Sequence, residues 1–146
     1  METRTARALA HGRQAICSRL SGAGLRPTRQ RVALARLLFC RGKRHLTAEI
    51  LHAEAQQEDI HVSLATIYNT LNQFTDCGLL RHVVVSGLKT FYDPDTSEHA
   101  HFFFEDDESV LDVPEDSMVV AHLPEPPAGY EIGRVDVVVR LRRTPV

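Results

Sequence analysis

The sequence predicts an α+β fold, an N-terminal winged helix-turn-helix followed by a small α/β dimerisation domain. Three observations predict it. Three capped amphipathic helices follow one another between Thr28 and Gly78, and a period-two stretch comes straight after them. A turn-rich break, "DPDTS", then interrupts the chain, and what lies beyond reads as short strands. The charge changes sign at the same place. Residues 1–90 hold 13 Lys/Arg against 6 Asp/Glu, a balance of +7, and residues 91–146 hold 4 against 13, a balance of −9. A basic half and an acidic half in one short chain point to two tasks, and the basic half suits a polyanion such as nucleic acid.

The elements follow in order. Residues 6–20 read as a helix with Leu9, Ile16 and Leu20 among arginines, ended by "SGAG". In "RPTRQRVALARLLFCRG", Thr28 is the N-cap, Leu34, Leu37 and Leu38 take helical spacing, and Gly42 suits the left-handed C-terminal position. In "HLTAEILHAEAQQ", Thr47 caps the next helix and Leu46 can staple onto Leu51. In "VSLATIYNTLNQFTDCG", Ser63 caps, Val62 can staple onto Ile67, and Gly78 stops the helix. Leu64, Ile67, Leu71 and Phe74 form its core stripe. The opposite face carries Ala65, Thr66, Tyr68, Asn69 and Gln73, with no charge until Asp76. Small residues, amides and a tyrosine suit base edges and phosphates better than they suit a solvated face.

"LLRHVVVSGLKTFYD" then reads as a hairpin about a Ser-Gly turn. Three helices and a hairpin are the order of a winged helix, whose third helix enters the major groove. Arg26, Arg29, Arg31, Arg41, Lys43 and Arg44 lie in or beside the first helix of the trio, where phosphate contacts would fall. The domain reading is 1–92 for the DNA-binding module, 93–97 for a hinge and 98–146 for dimerisation and ligand sensing. In that last part "HAHFFFE" and "SVLDV" read as strands about an acidic turn, "EDSMVVAHL" as a short helix, and "YEIGRVDVVVRLRR" as a one-faced strand. About 50 residues of this kind bury little core alone, so a homodimer built on this half is expected.

Bulk composition excludes other classes. Apolar content of 43% and charged content of 25% are those of a soluble globular chain. No apolar run approaches the roughly 18 residues of a membrane span, and "METRTARALAHGRQ" lacks the apolar core of a secretory signal. Cys17, Cys40 and Cys77 form no C-x-x-C pair. That favours a reducing cytoplasm and leaves neither a disulfide framework nor a thiolate zinc cage.

The site chemistry gathers in "SEHAHFFFEDDESVLDV". Residues i and i+2 of a strand share a face about 6.5–7 Å apart, so His99 and His101 present two imidazoles together. Asp112 on the next strand can return to that face, and two imidazoles with a carboxylate suit Fe, Mn or Zn. Glu98, Asp93 and His45 are further candidates. A second reading competes. His-x-His, seven residues, Ser109, two residues and Asp112 match the signature of the zinc-dependent JAMM isopeptidases, whose zinc-bound water needs a glutamate as general acid/base. A third is a DNA-binding protein with structural histidines and no ligand.

The stretches "GLRPTRQR", "HLTAEIL" and "VSLATIYNTLNQFTDCGLL", followed by a His-x-His strand, resemble the ferric uptake regulator (Fur) family of metal-responsive repressors. Within it, "GLRPTRQRVALARLLF" and the ending "GYEIGRVDVVVRLRR" look most like the iron response regulator (Irr) branch. The resemblance implies a cytoplasmic homodimeric repressor on an AT-rich inverted repeat in double-stranded DNA, controlling iron and haem homeostasis. It would act mainly when iron is scarce. DNA contacts would come from Arg26, Arg29, Arg31, Ser63, Thr66, Tyr68 and Asn69, with Tyr68 at the family's DNA-contacting tyrosine and Arg31 facing the backbone. It places an interdomain ligand, a divalent metal or haem, on His45, His99, His101 and Asp112. The family's remaining glutamate falls near Tyr92–Asp93, which makes Asp93 a weaker candidate. A haem-donating protein is a further implied partner.

The chain also departs from the family. The first cysteine pair of the usual structural zinc is replaced by Phe104 and Asp107, so no such zinc is expected. Ala100 stands between the histidines, where many members keep a ligand for a second metal. No cysteine precedes a proline, so the Cys-Pro route to haem is absent, which leaves haem only the His99/His101 pair.

Overall fold

The structure, a computed structural model, describes residues 4–85 and 89–146, with side chains from residue 12 onward. The expected Ser-Gly hairpin turn and the side chain of Leu9 lie outside the described residues. The chain divides into two compact units, Met1–Thr96 and Ser97–Val146.

The first unit holds helices α1 (Arg4–Gly22), α2 (Arg29–Phe39), α3 (Ala48–Gln57) and α4 (Leu64–Asp76), then strands β1 (Arg81–Val85) and β2 (Lys89–Asp93). Each of the three expected caps forms. Thr28, Thr47 and Ser63 take extended backbone, and their side-chain oxygens accept from the N–H of Arg31, Ile50 and Thr66. These bonds satisfy donors that have no partner within the helix. α4 ends in a Schellman motif, in which Leu79 N–H bonds to Phe74 O at 2.8 Å and Gly78 N–H to Thr75 O at 3.1 Å. Gly78 adopts φ +82, a left-handed position that a Cβ would strain.

The helices share one core, with Leu20, Leu34, Leu38, Leu51, Ile67, Leu71 and Phe74 fully buried. Both proposed staples join it: Leu46 and Leu51 are buried, and Val62 packs against the cluster that contains Ile67. One expectation fails here. Leu64, assigned to the core stripe, is exposed, and Thr70 takes a buried place on that side of α4.

β1 and β2 pair antiparallel from Arg81↔Asp93 to Val85↔Lys89. A bridge between Leu46 and Tyr92 adds a third edge to this small sheet: Leu46 N–H bonds to Tyr92 O at 3.0 Å and Tyr92 N–H to Leu46 O at 2.7 Å. This is the wing, anchored just ahead of α3.

The second unit holds β3 (His101–Phe104), β4 (Ser109–Asp112) and β5 (Val138–Leu141), in the order β4-β3-β5. β3 pairs antiparallel with β4 and parallel with β5. The acidic turn between β3 and β4 forms as expected, with Glu108 at φ 56. Two expectations need correcting. "EDSMVVAHL" forms only a single 3-10 turn, Glu115–Ser117, because Val119 and Val120 disfavour a helix and Pro124 closes it off. Of "YEIGRVDVVVRLRR", only Val138–Leu141 joins a ladder. Alternation shows which face is apolar, but a strand also needs a neighbour: the Val137 carbonyl accepts the His101 N–H at 3.1 Å, and residues 130–136 have no ladder partner among the described residues. Phe103 and Val113 are this unit's buried apolar residues, so its core is thin. Among the described residues, no helix is long and apolar enough to cross a membrane.

Candidate metal centre and nucleic-acid interface

The sheet registers decide which ionisable side chains meet. In the first unit, the Leu46–Tyr92 bridge sets residue 45 beside residue 93, and His45 Nε2 lies 3.0 Å from Asp93 Oδ2. Asp93 also accepts the N–H of Asp95 at 2.9 Å, which orients its carboxylate. The weaker candidate of the sequence is thus the direct partner of His45.

In the second unit, His101 stands opposite Asp112 in the β3/β4 ladder. Asp112 Oδ1 lies 3.1 Å from His99 Nε2 and 3.4 Å from His101 Nε2. The imidazole rings lie 4.4 Å apart, tilted by 56°. His99 sits just ahead of the strand rather than in it, and a 2.8 Å contact from its Nδ1 to the Ser97 carbonyl fixes the ring. An imidazole held at Nδ1 by a carbonyl presents Nε2 as its ligand atom. Within this unit the three ligand atoms lie within 4.8 Å of one another, and His101 is buried. Two imidazole nitrogens and a carboxylate oxygen at that spacing fit an ion of the iron–manganese–zinc series. Beside His99 lies a groove of about 580 Å³ with a mixed lining that includes Val120, Leu123, Ile132 and Val137 and the charged Arg134. Glu98 lines the same groove rather than joining the triad.

Phe104 and Asp107 stand apart from this triad. Asp107 spends one carboxylate oxygen on the N–H and hydroxyl of Ser109, at 3.0 and 2.6 Å, and those bonds hold its carboxyl below the usual range.

The face of α4 expected to read nucleic acid is at the surface: Ala65, Tyr68, Asn69 and Gln73 are exposed, and Thr66 is half-buried. Ser63 and Thr66 share the cap, their hydroxyls 2.9 Å apart. Arg26 and Arg29 are exposed, as a phosphate contact requires. Arg31 is occupied: Nη1 donates to the Arg26 carbonyl at 3.0 Å and Nη2 to Gln73 Oε1 at 3.1 Å, tying the start of α2 to α4. Both bonds hold its guanidinium against the protein rather than leaving it in solvent. Arg44 is committed as well, bonded to both oxygens of Glu54 and, through Nη2, to the Leu37 carbonyl at 2.8 Å. Arg41 pairs with Glu58 at 2.7 Å. The basic excess therefore overstates the charge available to DNA, because arginines 41 and 44 staple α2 to α3.

One residue of this face escaped the sequence reading. Glu49, in the first turn of α3, accepts a 2.6 Å hydrogen bond from the Tyr68 hydroxyl. That bond, first among its causes, lowers the Glu49 carboxyl below its usual value and raises the Tyr68 phenol. An acid two residues from the N-cap reads as ordinary helix chemistry, and only the crossing of α3 with α4 reveals its partner.

The chain has known relatives. The model of the Ferric uptake regulator family matches residues 22–132. A ferric uptake regulation protein of Pseudomonas fluorescens is 33% identical over 96 residues, 65% of this chain and 78% of that protein. The peroxide-responsive repressor PerR of Staphylococcus aureus is 31% identical over 93 residues, 64% of this chain and 62% of the repressor. Among solved structures, the ferric uptake regulator of Pseudomonas aeruginosa with manganese superposes with a TM-score of 0.71 at 25% identity, over 89% of this chain and 98% of that one.

Proposed function

This chain belongs to the ferric uptake regulator family, and from that premise we propose a cytoplasmic regulator that converts iron status into a change of DNA affinity through one His/Asp site. As a member of the family it is a DNA-binding, metal-responsive transcription regulator and not an enzyme. Membership overturns the isopeptidase reading of His99, His101, Ser109 and Asp112, a spacing that the β3–turn–β4 hairpin produces without any peptidase chemistry.

The observation that carries the proposal is the division of donors. Each unit holds its own group, His45 with Asp93 in one and His99, His101 and Asp112 in the other. The chain from Asp93 to His99 spans six residue steps, roughly 20 Å at full stretch, so the two groups are tethered at high effective concentration. A ligand drawing donors from both favours one arrangement of the units over others. Arg26, Arg29 and the α4 face of Ser63, Thr66, Tyr68 and Asn69 then meet an AT-rich inverted repeat. In a dimer the spacing of two such helices turns an angle into affinity. The homodimer is supported by the thin core of residues 97–146 and by its exposed Leu111, Val119, Leu123 and Tyr130.

The resident ligand is a divalent ion, Fe, Mn or Zn, and its role is to cross-link donors. The likeness to the iron response regulator branch supports a finer reading, in which haem bound at His99/His101 lowers activity and a haem-donating protein delivers it. The groove beside His99 is compatible with that reading, since Val120, Leu123, Ile132 and Val137 offer apolar contact to a porphyrin and Arg134 offers a cation to its carboxylates. With residues 104 and 107 holding no thiol, the fold is proposed to stand without a Cys-bound zinc.

Calorimetry with Mn²⁺ and absorbance titration with haemin, on the parent and on His99→Ala/His101→Ala, test the site. The parent should titrate and the double variant should not. A double variant that titrates like the parent would place the site elsewhere, and a parent that takes neither probe leaves a ligand-independent DNA-binding protein.

A further inference from the structure

Tyr68 is the one aromatic on the exposed face of α4, and its hydroxyl is already engaged. It carries one proton and two lone pairs, and the proton goes to Glu49 Oε1 at 2.6 Å. That length is typical of a hydroxyl donating to a charged carboxylate, the stronger class of hydrogen bond. Glu49 is held on α3, where the first-turn position favours an anion, and α3 is fixed to the core by Leu51 and Ala55. A hydroxyl that has given its proton away can only accept. Phosphate oxygens also only accept, so Tyr68 cannot bond to one without releasing Glu49, and the Glu49 anion repels phosphate from the spot. The exposed donors in the major groove are the exocyclic amines of adenine and cytosine.

We propose that Glu49 is a positioning residue for DNA reading: by taking the Tyr68 proton it makes the tyrosine an acceptor for an adenine or cytosine amine and bars it from serving as a phosphate clamp. The inference rests on α4 being the reading helix. Glu49 then contributes specificity at the expense of affinity. It touches no base, and it determines which partners Tyr68 can take.

The test uses full-length protein with a duplex enriched by the parent from a randomised pool, and an unrelated duplex of equal length. Affinities for both are measured by fluorescence anisotropy for the parent, Glu49→Ala, Glu49→Gln, Tyr68→Phe and Tyr68→Ala. Glu49→Ala should bind the unrelated duplex more tightly and lose about tenfold in the ratio of the two affinities, the scale of one base contact. Glu49→Gln should retain most of the ratio, because its amide oxygen still accepts the proton, while also binding the unrelated duplex more tightly. In a Tyr68→Phe background, Glu49→Ala should leave the ratio unchanged. Replacing enriched adenines one at a time with purine, which lacks the amine, should reproduce the loss at one position for the parent and at none for Tyr68→Phe. An unchanged ratio in Glu49→Ala, with Tyr68→Ala still weakening the enriched duplex, overturns the inference and leaves the reading helix intact. If Tyr68→Ala leaves the enriched duplex unaffected, the reading helix itself is wrong. Thermal unfolding of each variant excludes misfolding, and Glu49 is exposed, so its truncation empties no core.

Discussion

Arg44→Met removes a polar staple and retains most of the side-chain stem. In the parent the guanidinium bonds both oxygens of Glu54 and, through Nη2, the Leu37 carbonyl at 2.8 Å, so the end of α2 is held to α3. The Arg44 and Glu54 side chains are 24% and 15% exposed, which leaves the pair partly shielded from water. Two partly solvated charge-assisted bonds at about 0.5–1 kcal/mol each, with one carbonyl bond of similar size, give a loss of about 2 kcal/mol. Arg41 remains 3.8 Å from Glu54 and limits the loss. For a unit of this size, 1 kcal/mol moves the melting temperature by about 4–8 °C, so a fall of roughly 10 °C is expected near pH 7.

The pH dependence follows from Glu54, whose carboxyl is lowered from its ordinary value of 4.5, by the Arg44 hydrogen bond first. A lowered folded value means that the stabilisation is full above the ordinary carboxylate range and fades as the pH falls through the folded value. Circular dichroism melts of the parent and Arg44→Met at about pH 7 and about pH 3 should therefore show a gap that narrows in acid, towards the share contributed by the Leu37 carbonyl bond. A gap of equal size at both pH values would mean that the bond to the Leu37 carbonyl, rather than the ion pair, holds α2 to α3. No gap at either would refute the staple altogether.

Two further outcomes follow from the fold. Phe74→Ala empties a fully buried site where the helices meet and should cost about 3–5 kcal/mol by urea titration, enough to unfold much of the first unit. Gly78→Ala forces a Cβ into φ +82 and should cost about 1 kcal/mol in the same titration, with no change in the spectrum of the folded protein.

The winged-helix half was legible because its signals are local. Thr28, Thr47 and Ser63 announce three helix starts by their own hydrogen-bonding chemistry, and the stops at Gly42 and Gly78 rest on left-handed backbone at φ 80 and 82. The His99, His101 and Asp112 triad was legible as a set, since one hairpin brings them together. What stayed hidden depended on distant partners. The His45–Asp93 pair needed the Leu46–Tyr92 bridge, 46 residues apart in sequence. The Glu49–Tyr68 bond needed the crossing of two helices, and the commitment of Arg44 needed Glu54 from the next helix. The terminal strand was read too long because alternating valines are necessary for a one-faced strand but do not supply its neighbour.

The central claim is that one ligand, held by donors from both units, controls DNA affinity. The direct measurement is the affinity of the parent and of His45→Ala for the enriched duplex, with saturating Mn²⁺ and with chelator. The parent's affinity should differ between the two conditions by about 5–150-fold, the usual range of such coupling. His45→Ala retains the His99, His101 and Asp112 group, so it should still bind the ion while showing nearly one DNA affinity in both conditions. A full metal response in His45→Ala would contradict the account.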